Sequence, residues 1–305
     1  MRAVVLHDFD SGPTLSELPT PDTGANELLV RVHASSVNPV DAAIAAGMLK
    51  GMVDYAFPVT LGRDFAGVVE AVGPAVSRYQ PGDEVFGFLL HADPTVHAGS
   101  WADYLVVPED LQVARKPDGV DAEAAGAAPL AAITALAALD ALEPASGSTV
   151  LVVGATGGVG SFFVQLAAAT GATVIAPGLP EDRDYLLGLG AAEVPDRGSD
   201  LGVYVREHHP AGVAALLDVV GSPDTTLLEP GGRIASPIGA AGDGPGRANL
   251  MASPSVENLK RLARLLADGT LRVPIQETYL LGQAAAALHA LPATHTQGKL
   301  GIKLA

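Results

Sequence analysis

Residues 149–161 read TVLVVGATGGVGS, and no other segment constrains the chain as strongly. A run of β-branched and apolar residues enters a turn with glycines at 154, 157, 158 and 160. A helical pattern follows, with Phe162, Phe163 and Leu166 on one side. A strand that hands the chain to a helix through a tight turn leaves the first helical N–H groups without intrahelical partners, at the positive end of the helix dipole. Such an end accepts phosphate if the backbone lets the anion approach. Gly157 permits that approach, and Gly160 permits close packing of helix on strand. Ala155 stands where the first glycine of the six-residue fingerprint is usual. A glycine-rich loop serving packing alone would share this local string. The preceding strand, the following helix and a second strand-like run at 173–176 favour a dinucleotide-binding βαβ unit. Ala155, Thr156, Gly157, Gly158 and Val159 are the residues expected to cradle its pyrophosphate.

The same fingerprint expects, about 20 positions later, a residue that meets the adenosine ribose. Residues 175–180 read IAPGLP; they place Gly178 in this window and no Asp or Glu. The usual acceptor for a ribose 2′-OH is missing, whereas Arg183 just beyond can pair with a 2′-phosphate. NADPH is therefore expected rather than NADH. Glu181, Asp182 and Asp184 work against a phosphate there, and the competing reading of Arg183 is a solvated arginine at a helix start.

Charge and composition remove other classes. The 305 residues carry 18 basic and 34 acidic side chains, a formal net charge of -16, which argues against nucleic acid or an anionic membrane as partner. With no cysteine, neither a disulfide framework nor a thiolate metal site can form. No charged residue lies between Glu143 and Glu181, but glycines and polar residues interrupt this stretch too often for a membrane span. The opening MRAVVLHDFD is too short an apolar run for a signal peptide, so a soluble, cytoplasmic protein is expected.

Along the chain, the first 110 residues read as β-rich, with strand-like runs at Arg2–Leu6, 28–35, 67–73, Glu84–Phe88 and 101–108. A weak helical pattern covers 40–48. Residues 122–142 are helical in propensity, with Pro129 splitting them. Strand and helix then alternate: 149–154, 159–170, 173–176, 182–190 and 214–221. Such alternation implies a parallel sheet buried on both faces. Val256–Ala267 is amphipathic, with Leu259, Leu262, Ala263 and Leu266 on one face. Residues 271–305 return to strand and helix. The expected architecture is α/β: a doubly wound parallel sheet inserted into a β-rich domain, with 121–254 as the nucleotide domain and 1–120 plus 255–305 as the other.

Ordered motifs along the whole chain carry a family resemblance. VNPVD at 37–41 looks like VNPxD, LGRDFAGVV at 61–69 like LGxDxxGxV, and PGDEV at 81–85 like a GDxV turn. GSWADY at 99–104, Thr134-Ala135, DVVG at 218–221, GGRI at 231–234 and Gly298-Lys299 complete the series. Together they resemble the zinc-free quinone oxidoreductase (zeta-crystallin-like) branch of the medium-chain dehydrogenase/reductase superfamily. The resemblance implies a Rossmann domain inserted into a GroES-like catalytic domain, and a homodimer formed through the edge strand of the cofactor domain. Zinc alcohol dehydrogenases of the superfamily carry Cys and Gly-His-Glu ligands; here Asn38-Pro39 and Gly62-Arg63-Asp64 stand at those places, so no metal is expected. Histidines at 91, 97, 208 and 209 lack an acidic or sulfur partner in sequence and read as solvated. No tyrosine has lysine four residues on, which excludes the short-chain reductase proton donor, and no G-x-S-x-G elbow is present.

The resemblance further implies hydride transfer from NADPH to a quinone or an α,β-unsaturated carbonyl. The developing oxyanion needs hydrogen-bond donors, for which Asn38, Tyr55 and backbone are the candidates. Thr134 would lie near the nicotinamide ribose, Ile238 and Gly239 beside the nicotinamide, and Lys299 near the cofactor or a domain interface; Val220 is expected among the cofactor-binding residues. Asn38 in a plain Asn-Pro turn, Tyr55 as rim packing and Lys299 as a surface lysine are the bland alternatives. Competing functions are an enoyl reductase acting on acyl chains and a non-catalytic NADPH-binding sensor.

Overall fold

Alternation in Glu27–Val37 (ELLVRVHASSV) buries Leu28, Val30, Val32 and Ala34 and exposes Arg31, the pattern of a strand with one face on a core. This strand organises the first of two units. The computed structural model describes residues 1–89, 99–293 and 295–304. One unit comprises Met1–Leu130, Pro254–Asp268 and Val273–Ala305; the other comprises Ala131–Ser253 and Gly269–Arg272.

In the first unit, Glu27–Val37 pairs antiparallel with Asp64–Val72 and Tyr104–Pro108 over its first half. Its last residues pair with Lys299–Lys303, in the register Leu300↔Val37. Asp64–Val72 continues the sheet to Glu84–Phe88 and Val113–Arg115, and Ile275–Leu280 closes the other edge. A smaller sheet joins Pro13–Glu17, Arg2–Leu6 and Val59–Thr60. Leu28, Val30, Phe65, Val85, Trp101 and Leu105 are among the buried residues of the core. The expected helix at 40–48 is shorter, Pro39–Ala45, opened by a capping box between Asn38 and Asp41. The 122–142 pattern becomes Ala122–Ala127, capped by Asp121, and Pro129–Leu142. Proline lacks the N–H that a first helical residue would leave unpaired, so it starts the second helix.

The second unit is built on five parallel strands in the order Thr173–Ile175, Thr149–Val153, Val213–Asp218, Leu228–Ser236, Arg247–Asn249. Its core includes Leu151, Ile175, Leu216 and Ile234. From Thr149–Val153 the chain moves outward on one side to Thr173–Ile175, then returns to the other side as Val213–Asp218. That reversal makes the carboxyl end of Thr149–Val153 the topological switch point of the sheet, the place where open α/β sheets bind ligands. This is the Rossmann-type doubly wound sheet. Among the described residues no helix is long and apolar enough to cross a membrane.

Candidate active site

Thr149–Val153 ends at Gly154, whose φ of +87° favours glycine. A Cβ there would also stand 2.3 Å from Val219 Cγ2. The left-handed turn thus falls on Gly154, and Ala155, one residue later, fills the usual glycine place while fully buried. Gly157 is the N-cap of the helix Gly158–Ala169, and no side chain caps that end. The N–H groups of Gly158, Val159 and Gly160 have no acceptor within the helix. The glycines do different work. A Cβ on Gly157 would meet only Gly154 O, at 3.8 Å, whereas one on Gly160 would fall 2.2 Å from Gly154 O. Gly157 leaves open space in front of the helix end, and Gly160 lets the helix sit on the turn. Thr156, next to them, is nearly buried. These residues fit the pyrophosphate of a dinucleotide.

Beside the turn, the Asp218 carboxylate accepts the N–H groups of Val220 (3.0 Å) and Gly221 (2.9 Å) and so shapes the loop after its strand. Val220 is 62% exposed and Ile238 55% exposed, an apolar pair presented rather than buried. A Cβ on Gly154 would lie 3.0 Å from Val220 Cγ2, and one on Gly221 would lie 3.2 Å from Ile238 Cδ1, so the turn, Val220 and Ile238 adjoin. Ser236 Oγ accepts the N–H of Ile238 at 3.3 Å, and Gly239 follows at φ +80°. Thr134 sits in Pro129–Leu142 and is nearly buried.

At the ribose window, Gly178 is buried, its N–H donating to Pro195 O at 3.1 Å. Asp182 is also buried, its carboxylate accepting the Leu179 N–H at 2.8 Å, so it is not available to a ribose. Arg183 is exposed and donates from Nη1 to Val194 O at 3.3 Å.

The first unit contains a buried polar cluster centred on Asp64. Its Oδ2 accepts from Ser36 Oγ (2.6 Å) and Asn38 Nδ2 (2.7 Å), and its Oδ1 accepts from the Leu130 N–H (2.7 Å). Lys299, 3% exposed, donates from Nζ to Asn38 Oδ1 at 2.5 Å and to Val37 O at 3.3 Å, with Asp64 Oδ2 at 3.6 Å. The Asn38 N–H donates to Asp41 Oδ2 at 2.8 Å, and Asp41 Oδ1 lies 3.9 Å from Nε of the fully buried Arg63. The register Leu300↔Val37 is what delivers Lys299 to Asn38. Burial pushes the Asp41 carboxyl up to about 7, with Arg63 pulling the other way. Burial pushes the Lys299 ammonium and the Arg63 guanidinium down, with Asp64 the main opposing partner for the lysine and Asp41 for the arginine.

Tyr55 is half-buried, edge-on to Phe9 (4.8 Å between ring centres) and stacked at 23° on Phe57. Its hydroxyl donates to Ile44 O at 3.3 Å, and burial raises its pKa. Sequence reasoning placed Asn38 and Lys299 in separate roles; the structure brings them together. It did not find Ser36 or Trp101, whose indole N–H donates to Ser36 O at 3.1 Å. The fixed Asp of the LGRDFAGVV motif was the available signal for Asp64 as the hub. His208 stacks on Tyr204, and His209 Nε2 lies 3.0 Å from Glu193 Oε2. His91 and His97 lie outside the described residues.

Comparison with known proteins agrees with this geometry. The family "Alcohol dehydrogenase GroES-like domain" matches residues 24–118, and "Zinc-binding dehydrogenase" matches residues 189–300. The chain is 36% identical over 185 residues to a chloroplastic quinone-oxidoreductase homolog of Spinacia oleracea, a match spanning 59% of this chain and 55% of that protein. It is 30% identical over 315 residues to the NADPH-dependent alkenal/one oxidoreductase of Arabidopsis thaliana chloroplasts, spanning 98% of this chain and 78% of that one. The quinone oxidoreductase from Coxiella burnetii superposes with a TM-score of 0.89 at 29% identity, covering 100% of this chain and 99% of that one. A GroES-like β unit joined to a dinucleotide-binding sheet defines the class, a two-unit oxidoreductase. The chain belongs to the medium-chain dehydrogenase/reductase superfamily, in its quinone oxidoreductase-like branch, a family of NAD(P)H-dependent enzymes.

A cobalt- and zinc-bound alcohol dehydrogenase from Pyrobaculum aerophilum shares the fold (TM-score 0.82, 25% identity, 99% of each chain), so the donors must decide the metal question. They do not fit zinc. Cysteine is absent from the sequence, and at the Gly62-Arg63-Asp64 site two buried cations, Arg63 and Lys299, already face Asp41 and Asp64. A dication added there would meet both positive charges. Among the described residues no group of three His, Asp or Glu side chains could hold a metal ion.

Proposed function

We propose that this protein is a zinc-independent, NADPH-dependent reductase that delivers hydride to a quinone or an α,β-unsaturated carbonyl. The observation that carries the reading is the Asp64 cluster: where zinc relatives place metal ligands, this chain places two buried basic side chains, Arg63 and Lys299, against the carboxyl groups of Asp41 and Asp64. Without a Lewis acid, the suitable acceptors are those that spread the incoming negative charge over their own π-system. Quinones and enones do this. The names of the spinach and Arabidopsis relatives support the same substrate class.

The bound dinucleotide supplies the hydride. The chain's part is placement and shielding. The free N–H groups at the start of Gly158–Ala169 hold the pyrophosphate, and Val220 and Ile238 offer an apolar shelf beside the turn. Asn38 is the better of the two side-chain donors to a developing oxyanion. One amide hydrogen is engaged at 2.7 Å by Asp64, and the other has only a 3.4 Å contact with Ser36 Oγ. Tyr55 already donates its hydroxyl hydrogen to Ile44 O, so its contribution is the ring rather than a proton. Solvent protonates the hydroquinone monoanion or the enolate that hydride addition leaves. The outer edge of Arg247–Asn249 makes no strand pairing among the described residues, and we assign it to a homodimer contact, which molar mass in solution tests.

The deciding assay is oxidation of NADPH and NADH against a panel of quinones, enals and enones. Turnover with NADPH and at least one class is expected. No turnover with any acceptor sinks the reductase reading, and a clear preference for NADH sinks the coenzyme assignment.

A further inference from the structure

Lys299 is 3% exposed, and burial makes its charge costly to keep. A buried ammonium kept only as a counter-ion would set its shortest contact on a carboxylate. This one does not. Its Nζ lies 3.6 Å from Asp64 Oδ2 and 3.3 Å from Val37 O, whereas its bond to Asn38 Oδ1 is 2.5 Å long. The charge is aimed at a neutral amide. Asp64 meanwhile accepts from Ser36 Oγ, Asn38 Nδ2 and the Leu130 N–H. Neutralising Asp64 does not by itself account for this arrangement.

A cation on an amide oxygen draws electrons from the amide nitrogen. The N–H groups at the other end become stronger donors, because hydrogen bonds in a chain polarise one another. One Nδ2 hydrogen of Asn38 goes to Asp64 Oδ2 at 2.7 Å. The second has only the 3.4 Å contact with Ser36 Oγ, which gives its own hydrogen to Asp64. That second hydrogen is the one left to act on a ligand. Both main chains hold the pair in place. The antiparallel register Leu300↔Val37 sets Lys299 opposite Asn38. The Lys299 N–H donates to Pro274 O at 2.9 Å, and the Asn38 N–H to Asp41 Oδ2 at 2.8 Å.

We propose that Lys299 is a positioning residue for hydride transfer: through the Asn38 amide it orients and strengthens the one N–H left to meet negative charge on the acceptor oxygen. The proposal rests on the reading of Asn38 as that donor. In the step it serves, two electrons and one hydrogen pass as hydride from the reduced dinucleotide to the acceptor. The π electrons of the acceptor gather on its oxygen, and water then supplies one proton. Lys299 itself neither gives nor takes a proton.

The test is a double-mutant cycle on the hydride-transfer rate, read in single turnovers by NADPH absorbance with para-benzoquinone or cyclohexenone as acceptor. Asn38→Ala should slow the step about 100-fold, the loss of an oxyanion donor. Lys299→Gln should slow it about tenfold, part of that donor's contribution, and leave the NADPH dissociation constant within about twofold. Beside Asn38→Ala it should cost nothing more. Lys299→Arg keeps the charge and should recover most of the rate. A lysine with a structural role alone would lower stability and leave the rate of the folded enzyme unchanged. A wild-type rate in Lys299→Gln, or a loss that persists beside Asn38→Ala, therefore overturns the proposal. A wild-type rate in Asn38→Ala instead overturns the donor reading beneath it. Circular dichroism establishes that each variant is folded. If Lys299→Gln does not fold, the cycle is run with Lys299→Arg: a wild-type rate, or a loss that vanishes beside Asn38→Ala, supports the proposal, and a loss that persists there overturns it.

Discussion

The Lys299 ammonium donates a 2.5 Å hydrogen bond to the side-chain oxygen of Asn38, across 261 positions of sequence. The other end of the same amide donates to Asp64 Oδ2 at 2.7 Å. A cation at one end and a carboxylate at the other allow one amide orientation only, because the flipped amide would set N–H against ammonium and oxygen against carboxylate.

Lys299→Met removes the cation from this buried pair, leaving Asn38 Oδ1 without its donor and Asp64 without the neighbouring positive charge. The expected loss is on the order of 3 kcal/mol of unfolding free energy. Urea unfolding with an unchanged m-value measures it. A midpoint equal to wild type would mean that the lysine is not part of the network.

Asp41 gives the protein a specific pH dependence. Its carboxyl is raised from 3.8 to about 7, chiefly by burial. The folded state therefore holds this proton at pH values where the unfolded chain has released it. The stability contribution is complete below about pH 3.8 and is lost as the pH rises through about 7. Wild type minus Asp41→Asn should decline across that window by at most about 1.4 kcal/mol per pH unit, and flatten above it. Arg63→Met removes the charge that pulls this pKa down and should extend the decline to higher pH. A difference independent of pH would show that Asp41 titrates normally.

The two glycines of the turn should separate binding from stability. Gly157→Asp has room for its Cβ, so thermal stability should change little. Its carboxylate would face the phosphate seat, and NADPH binding should fall below detection by fluorescence titration. Gly160→Ala would put a Cβ 2.2 Å from the Gly154 carbonyl oxygen, so the turn must shift and Tm should drop. Coenzyme affinity unaffected by Gly157→Asp would show that the turn is not the phosphate site.

Tyr55→Phe tests whether the hydroxyl or the ring matters. The hydroxyl is bonded to Ile44 O, and burial makes it a weaker acid than usual. Quinone reduction should keep kcat within about threefold of wild type, against the factor of about 100 or more that a general acid contributes. A loss of that larger size would make Tyr55 the proton donor.

The glycine turn was legible because its determinants are local. A strand, a tight turn and a helix start follow from thirteen consecutive residues, 149–161, and the turn's one left-handed position, Gly154, lies inside them. The ribose window was only half legible. Arg183 lies close to Gly178 along the chain, but residues 193–196 reach it as an irregular extra strand that carries no periodic signal. The Ala122–Leu142 stretch shows the same limit in reverse. Propensity marked it helical and Pro129 marked the break, yet Ala122–Ala127 packs on Glu27–Val37 of the first unit while Ala131 onward belongs to the second.

The sequence by itself determined the strand, glycine turn and helix start at 149–161 and the lack of a thiolate for zinc, since both depend on residue types and spacing within one segment or on a count of zero cysteines. Only the tertiary structure decided what replaces the metal ligands. Lys299 meets Asn38 because Lys299–Lys303 pairs antiparallel with the end of Glu27–Val37, and Leu130 reaches Asp64 through its main chain. Sheet register across such distances is set by which faces can be buried together, a property of the packed core that no local pattern encodes.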